Sequence, residues 1–236
     1  MRTSGSIKFV WTAESNYNII KMDNIRLQMS ETIKNYFLDF TIDDFEYKSE
    51  YNLPIRSKSD ILEAVNGGHG YMLILASDEL RADRDVVMHA VKQYGCSLKF
   101  ASAELRADRE IALCAVNDVS AALEYVDAEL RADREIVSYA VKQTGYALEY
   151  ASAKLRADRE IVLCAVKQDG CALRRASAEL RADREIVLTA VKENYRALGY
   201  ASKELRADCE FISEVIKIDK NAILYASNEL RKKFSN

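Results

Sequence analysis

The sequence predicts an all-α protein, a right-handed α-solenoid built from repeats of two short helices behind a divergent N-terminal cap. The pentapeptide LRADR begins at Leu80 and recurs every twenty-five residues without insertion, ending in the variants LRADC at Leu205 and LRKKF at Leu230. Within each repeat the apolar residues fall at helical spacing, and the whole chain of 236 residues contains one Pro and eight Gly. A fixed period of this length indicates a stacked array of one small unit.

Each repeat is numbered here from its leucine, position 1, and the first helix is predicted to begin after the Asp at position 4. In the repeat from Leu155, Asp158 is placed to accept a hydrogen bond from an orphan N–H of the first turn. Glu160 follows where the helix dipole favours an acid. Positions 7, 8, 11 and 12 are apolar and share one helical face. Gly170, at position 16, is predicted to end the helix in the left-handed conformation.

The second helix is predicted to follow at once, with positions 18, 19 and 22 and the next leucine on its buried side. Ser152 and its equivalents at position 23 are placed to cap a last turn, which is compatible with a 3₁₀ helix. Helices of roughly ten residues are not stable alone. The stability of the array must therefore come from apolar faces buried between neighbouring repeats.

The stretch LRADREIVLCAV, followed by G.AL..AS up to Ser177, resembles a family of short bacterial helical repeats of unknown function. The consensus of that family is near LRDDREVVLAAVxxxGxALxxAS. The stretch is more weakly similar to the leucine-rich variant repeat, in which an α-helix alternates with a 3₁₀ helix. The resemblance covers residues 60 to 231 and implies an α-solenoid with an interaction role and no catalytic residues. It further implies an effector or adaptor of a host-associated bacterium.

Residues 1–58 differ from the repeats and are predicted to be an aromatic-rich capping segment, with the array at 59–236. Solenoids need such a cap over an open end for solubility; a separate docking or targeting segment is the alternative. No apolar run approaches the length of a membrane span, and the start of the chain lacks the apolar region of a signal peptide. The cytoplasm of the producing cell is the expected compartment, with delivery into a host cell as the alternative.

Arginine recurs at position 2, from Arg81 to Arg231, and at position 5, from Arg84 to Arg184. Stacking would align both sets into ladders able to bind the phosphates of nucleic acid or phosphoinositides. The typical repeat nevertheless carries three basic and three acidic residues, and the net charge of the chain is −3. We expect the ladders to form charge-assisted bonds within and between repeats, which makes nucleic acid the less favoured partner.

The sequence favours a binding protein over an enzyme. Its carboxylates recur in register, and it contains no metalloprotease, P-loop or nucleophile-elbow motif. The five cysteines lack cystine-like spacing and are predicted to be reduced thiols. His89 with Cys96, or Cys164 with Cys171, would form a metal pair, but no further ligands lie nearby. We predict no metal and no cofactor; a small enzyme centred on the N-terminal segment and His69 is the weakest alternative.

The predicted partner-binding surface lies on the second helix, opposite its buried side. Positions 17, 21 and 24 would be polar on a merely solvated face, but they are rich in tyrosine and become polar toward the C-terminus. One interpretation is that these side chains pack against the same positions of adjacent repeats on the inner wall of the superhelix. The other is that they form an aromatic ladder that binds a peptide or a helix of another protein. The oligomeric state stays open. The predicted binding residues are Phe100, Tyr125, Tyr146, Tyr150, Arg175, Arg196, Tyr200 and Tyr225.

Overall fold

The computed structural model describes residues 54–66 and 70–234. Most of the predicted capping segment, and His69 with it, lie outside the described residues. Within those ranges the protein is built from helices, and the extended contacts amount to one isolated bridge between Ile55 and Ala76. The predicted all-α repeat architecture is confirmed.

Every repeat contains a long α-helix followed by a 3₁₀ helix and a one-turn connection. The long helices, α1 to α7, are Lys58–Val65, Arg84–Gln93, Arg109–Asp118, Arg134–Gln143, Arg159–Gln168, Arg184–Glu193 and Cys209–Ile218. The 3₁₀ helices, η1 to η7, are Gly70–Leu75, Gly95–Phe100, Ser120–Tyr125, Gly145–Tyr150, Gly170–Arg175, Tyr195–Tyr200 and Lys220–Tyr225. The connections are Asp78–Arg81, Ala103–Arg106, Leu130–Ala132, Ala153–Arg156, Leu180–Ala182, Lys203–Ala207 and Asn228–Phe234. Repeats 1 to 7 are named after the α and η helices that they contain.

The second helix is shorter than the ten residues predicted, because extended backbone closes it on both sides. In repeat 4, Thr144 has φ −150° and Ala151 has ψ 152°, which leaves the six residues of η4 between them. A 3₁₀ helix suits such a short segment, since it rises about 2.0 Å per residue and is seldom long. The weaker resemblance to a repeat that alternates α and 3₁₀ helices anticipated this pattern.

The predicted caps are present at both helix starts of the repeat. The Oδ1 atom of Asp108 accepts the N–H of Glu110 at 2.9 Å and that of Ile111 at 3.1 Å. The Oγ atom of Ser152 accepts the N–H of Leu155 at 3.4 Å and so begins the connecting turn. The N–H of Ser152 also donates to the carbonyl of Arg131 in the preceding turn, at 2.9 Å. This backbone bond recurs at every junction from repeat 2 onward and fixes the register of neighbouring repeats.

The core runs through the array as one continuous layer between the α-helices and the 3₁₀ helices. Positions 7, 8, 11 and 12 of α2 to α6 are buried, as are positions 18, 19 and 22 of the adjoining 3₁₀ helices. The leucine at position 1 follows the prediction only in part. It is buried at Leu80, Leu155, Leu205 and Leu230, and only partly buried at Leu105, Leu130 and Leu180.

The glycine at position 16 has a different role from the one predicted. None of the glycines described at this position has a backbone in the left-handed region. The residue before Gly95, Gly145 and Gly170 ends the α-helix in extended conformation. A Cβ on Gly145 would lie 2.3 Å from the carbonyl oxygen of Ala165 in the next repeat. The same approach recurs at Gly70, Gly95 and Gly170. Glycine is needed at these four positions because the start of the 3₁₀ helix lies there against the backbone of the next α-helix.

Candidate interaction face

An ion-pair ladder occupies the α side of the array. The guanidinium of Arg84 reaches Asp108, at 3.1 Å, and also Glu110 in the next repeat. The same two contacts recur at Arg109, Arg134 and Arg159. Each of these position-5 arginines therefore bonds to two carboxylates of the following repeat, which confirms the expected charge-assisted bonds between repeats.

The Asp of each ladder contact is also the cap of its α-helix, and this double role lowers its pKa. Partial burial raises the pKa of the Asp108 carboxyl, but the N–H of Ile111 and the guanidinium of Arg84 outweigh that effect and hold the pKa below its usual range. The same balance lowers the pKa of Asp133 and Asp158. These carboxylates are therefore charged at neutral pH and link each repeat to the one before it.

The arginines at position 2 are packed along the connecting turns. The Nε of Arg81 donates to the carbonyl of Ala76 at 2.9 Å. In Arg131, Arg181 and Arg206 the Nε is also buried, but it has no hydrogen-bond partner among the described residues. This placement favours a structural role for the second ladder as well.

The opposite side of the array carries what we call the η face, the side chains at positions 17, 20, 21 and 24 of repeats 1 to 7. All eight predicted binding residues lie on it, six at position 21 and two at position 17. The position-21 rings are half-buried and pack against the core, whereas Tyr146 at position 17 is 47% exposed. The half-buried rings are Phe100, Tyr125, Tyr150, Tyr200 and Tyr225.

Aromatic contacts run within and between repeats along the η face. Tyr146 meets Tyr150 edge to face with ring centroids 5.8 Å apart. Burial, and then the hydrogen bond with Tyr146, raise the pKa of Tyr150 well above its usual range, so its phenol stays protonated. Across the junction between repeats 6 and 7, the ring centroid of Tyr225 lies 6.1 Å from that of Tyr195, and the Tyr225 ring covers the backbone of Gly199, where a Cβ would be 2.9 Å from the ring. The Tyr225 ring thus packs against the preceding repeat, whereas Tyr146 and Tyr150 pack against each other within repeat 4.

Two arginines of repeat 5 share one carboxylate of repeat 4. Arg175 bonds to Glu149, and Arg174 lies 4.0 Å from the same carboxylate. The Glu149 side chain is only 23% exposed, and half of the Arg174 side chain, 50%, faces solvent. Arg175 is therefore held by its neighbour, whereas Arg174 presents its charge outward.

Arg196 has a different environment from the ladder arginines. Its guanidinium lies 5.6 Å from the ring centroid of Tyr195, a cation–π distance. The Tyr195 hydroxyl first, and then that of Tyr225, raise the pKa of Arg196 above its usual value. Within the described part of the chain, no carboxylate lies within ion-pair distance of Arg196 or of the exposed Lys203.

The sequence prediction missed position 20, whose side chains also lie on the η face. It assumed α-helical spacing, which pairs position 17 with position 21. In a 3₁₀ helix residues three apart lie above one another, so position 20 lies beside position 17. A signal was present, since position 20 varies between repeats as widely as the two positions chosen: it holds Lys99, Glu124, Glu149, Arg174 and Gly199.

The described residues offer little that is typical of a catalytic or metal site. No group of three or more His, Cys, Asp or Glu side chains in this part of the protein is arranged to hold a metal ion. His89 bonds to Asn66 at 2.8 Å on the α side. Burial raises the pKa of the Cys96, Cys114 and Cys171 thiols, which disfavours the reactive thiolate. None of the helices in residues 54–66 and 70–234 is long and apolar enough to cross a membrane.

Comparison with known families gives one match. The model of the family described as Domain of unknown function (DUF4116) matches the chain at residues 58–106, 108–156, 133–181, 158–206 and 183–231. Each match spans two of the repeats defined above, and the last four begin one repeat apart, so together they cover more than half of the chain. No curated protein and no solved structure matches the chain.

Proposed function

The chain belongs to the DUF4116 family, and we propose that it is a non-enzymatic scaffold that binds a peptide or helix of another protein along the η face. The observation that carries the proposal is the row of partly open rings from Phe100 to Tyr225, which crosses successive repeats on the side opposite the ion-pair ladder. Aromatic side chains and arginine dominate the energetic centres of protein interfaces.

The pattern of variation along the repeat supports the same proposal. Positions that fill the core and the ladder keep their residue type from repeat to repeat, whereas positions 17 and 20 change widely and position 21 departs from Tyr at Leu75, Phe100 and Arg175. At position 17 the side chain is Cys96, Ala121, Tyr146, Cys171 and Arg196 in turn. A regular frame with changing side chains suits a partner whose own sequence does not repeat. Repeat proteins offer extended surfaces of this kind, and an adaptor or effector role would use it.

A selection experiment with matched tyrosine variants tests the proposal. Peptides selected from a random display library on the full chain are measured against Tyr146→Ala and Tyr139→Ala. Tyr139 is a matched control, because it is 43% exposed against 47% for Tyr146 but lies on α4, where its hydroxyl bonds to Asn117. We expect binding to be lost in Tyr146→Ala and kept in Tyr139→Ala, with both variants folded by circular dichroism.

Two outcomes of that selection contradict the proposal. One is peptides that bind Tyr146→Ala as tightly as the unmodified chain and lose affinity for Tyr139→Ala, which would place the surface on the α side. The other is the absence of any selected peptide that binds the folded chain.

A further inference from the structure

The η face has a pronounced charge polarity along the array. In repeats 1 to 4 its four positions carry three acids and one lysine, namely Asp78, Glu124, Glu149 and Lys99. In repeats 5 to 7 they carry three arginines and one lysine and no acid, namely Arg174, Arg175, Arg196 and Lys203. One end of the face is therefore aromatic with a slight negative charge, and the other is basic.

The basic end differs from the rest of the protein in how its cations are partnered. A ladder arginine such as Arg109 bonds to two carboxylates, whereas Arg174 and Arg175 share the single carboxylate of Glu149. Arg196 lies among tyrosine rings, and the sequence places Lys203 at position 24 beyond η6, with its side chain exposed. Three of these four cations thus present charge outward with little or no compensation from the described residues around them.

From this charge distribution we infer that the bound segment belongs to a protein partner and is itself two-part. Its aromatic or aliphatic half lies over repeats 2 to 4, and its acidic half lies over repeats 5 and 6. The inference rests on the proposed function and adds to it the chemistry and the orientation of the partner. Complementary charge of this kind fixes register and rejects wrong partners more than it adds raw affinity, which suits a long face that must hold a segment in one direction.

A peptide accounts for these observations better than a nucleic acid does. Tyrosine rings beside arginines are also found where proteins stack single-stranded bases. A strand long enough to follow the aromatic row, however, would place phosphates beside Glu124, where like charges repel. The basic region covers only repeats 5 and 6, whereas backbone binding uses a continuous positive groove.

A peptide array tests the inference with probes of defined chemistry. Each peptide joins a half drawn from Tyr, Phe and Leu to a half drawn from Glu and Asp, from Gln and Asn, or from Lys and Arg, in both orders. We expect the full chain to bind peptides with an acidic half about tenfold more tightly than those with an amide half, because exposed ion pairs each contribute a factor of roughly two to five. One of the two orders should bind better, and added salt should remove the difference.

Two charge-matched double variants locate the effect. Arg174→Glu with Arg196→Glu reverses the basic end of the η face. Lys167→Glu with Lys192→Glu makes the same change in net charge on the outer side of α5 and α6 in the same repeats, where both lysines are exposed. The first variant should lose the preference for acidic halves and the second should keep it. Circular dichroism checks that both remain folded.

The outcomes separate this inference from the proposed function. Equal binding of all three peptide classes, still lost in Tyr146→Ala, would overturn the inference and leave the proposed function standing. Absence of binding to every peptide of the array would also overturn the inference. The proposed function would then be tested only by the display-selected peptides. Tighter binding of a single-stranded oligonucleotide than of any peptide, abolished in Arg174→Glu with Arg196→Glu, would overturn it in favour of nucleic acid.

Discussion

Replacing Gly145 by Ala tests whether the spacing between repeats 4 and 5 depends on the close contact between Gly145 and the backbone of α5. The added Cβ would lie 2.3 Å from the carbonyl oxygen of Ala165, and real Cβ contacts are essentially never under 3.0 Å, so α5 must retreat by at least the difference, about 0.7 Å. That carbonyl already accepts the N–H of Asp169 at 2.9 Å, which limits how far it can move.

The magnitude follows from two opposing effects. Overpacking in a close-packed interior costs typically about 1–3 kcal/mol. Loss of glycine entropy in the unfolded chain stabilises by about 0.4–1 kcal/mol. We therefore expect Gly145→Ala to lower the free energy of unfolding by about 1–2 kcal/mol, which is a fall of roughly 2–8 °C in Tm for a chain of this size.

Chemical and thermal denaturation of Gly145→Ala beside two controls measures the effect. Ser120→Ala adds no atom at position 16 of repeat 3, where the chain already carries a Cβ, and should stay within about 0.5 kcal/mol of the unmodified protein. In Gly199→Ala the added Cβ would lie 2.9 Å from the ring of Tyr225. A side-chain ring can move more easily than a backbone, so the loss of stability should fall between those of Gly145→Ala and Ser120→Ala. A Gly145→Ala variant as stable as Ser120→Ala would refute the explanation.

Three further predictions concern stability. Ser97→Ala should raise the free energy of unfolding by about 1 kcal/mol in urea, because the fully buried Ser97 hydroxyl has no hydrogen-bond partner among the described residues and Ala holds this position in repeats 3 to 7; a loss of stability would contradict it. Arg109→Gln should lower the free energy of unfolding by about 0.2–1 kcal/mol in low salt and by less in high salt, because the two ion pairs of Arg109 are partly exposed. A decrease that does not depend on salt would contradict this prediction. Because the pKa of Asp108, Asp133 and Asp158 is lowered on folding, their stabilisation is present above the unfolded pKa of about 3.9 and is lost as the pH falls through the folded values. Melting temperature should therefore drop steeply below about pH 4, and Asp108→Asn should make that drop shallower.

The sequence was sufficient for those features that one repeat contains within itself. The capping of α3 by Asp108, the capping of the Ala153–Arg156 turn by Ser152 and the apolar face of each α-helix all depend on residues within one or two turns of each other. Because these features depend on residues that are close in sequence, the repeat period and the residue types were enough to predict them. The 3₁₀ geometry of the second helix was underestimated, because the extended residues Thr144 and Ala151 that limit its length carry no distinctive side chain.

Two features that the sequence did not predict are contacts between repeats. The role of Gly145 depends on the carbonyl of Ala165, twenty residues later, and a glycine after a helix is far more often a left-handed cap. Arg175 was predicted to bind a partner, and the sequence did not indicate its bond to Glu149 in the preceding repeat. Such contacts require the stacking register, which is fixed by the backbone bond between successive turns and leaves no trace in residue type.

Covalent footprinting of tyrosine tests the central claim, that the η face is the binding surface, most directly. Tyr146 and Tyr139 are nearly equally exposed, at 47% and 43%, but lie on opposite sides of repeat 4, so each controls for the other within one chain. Both should react with a tyrosine-selective reagent at similar rates in the free protein. With a display-selected peptide bound, mass spectrometry should find Tyr146 protected and Tyr139 unchanged. Protection of Tyr139 with Tyr146 still reactive would contradict the claim.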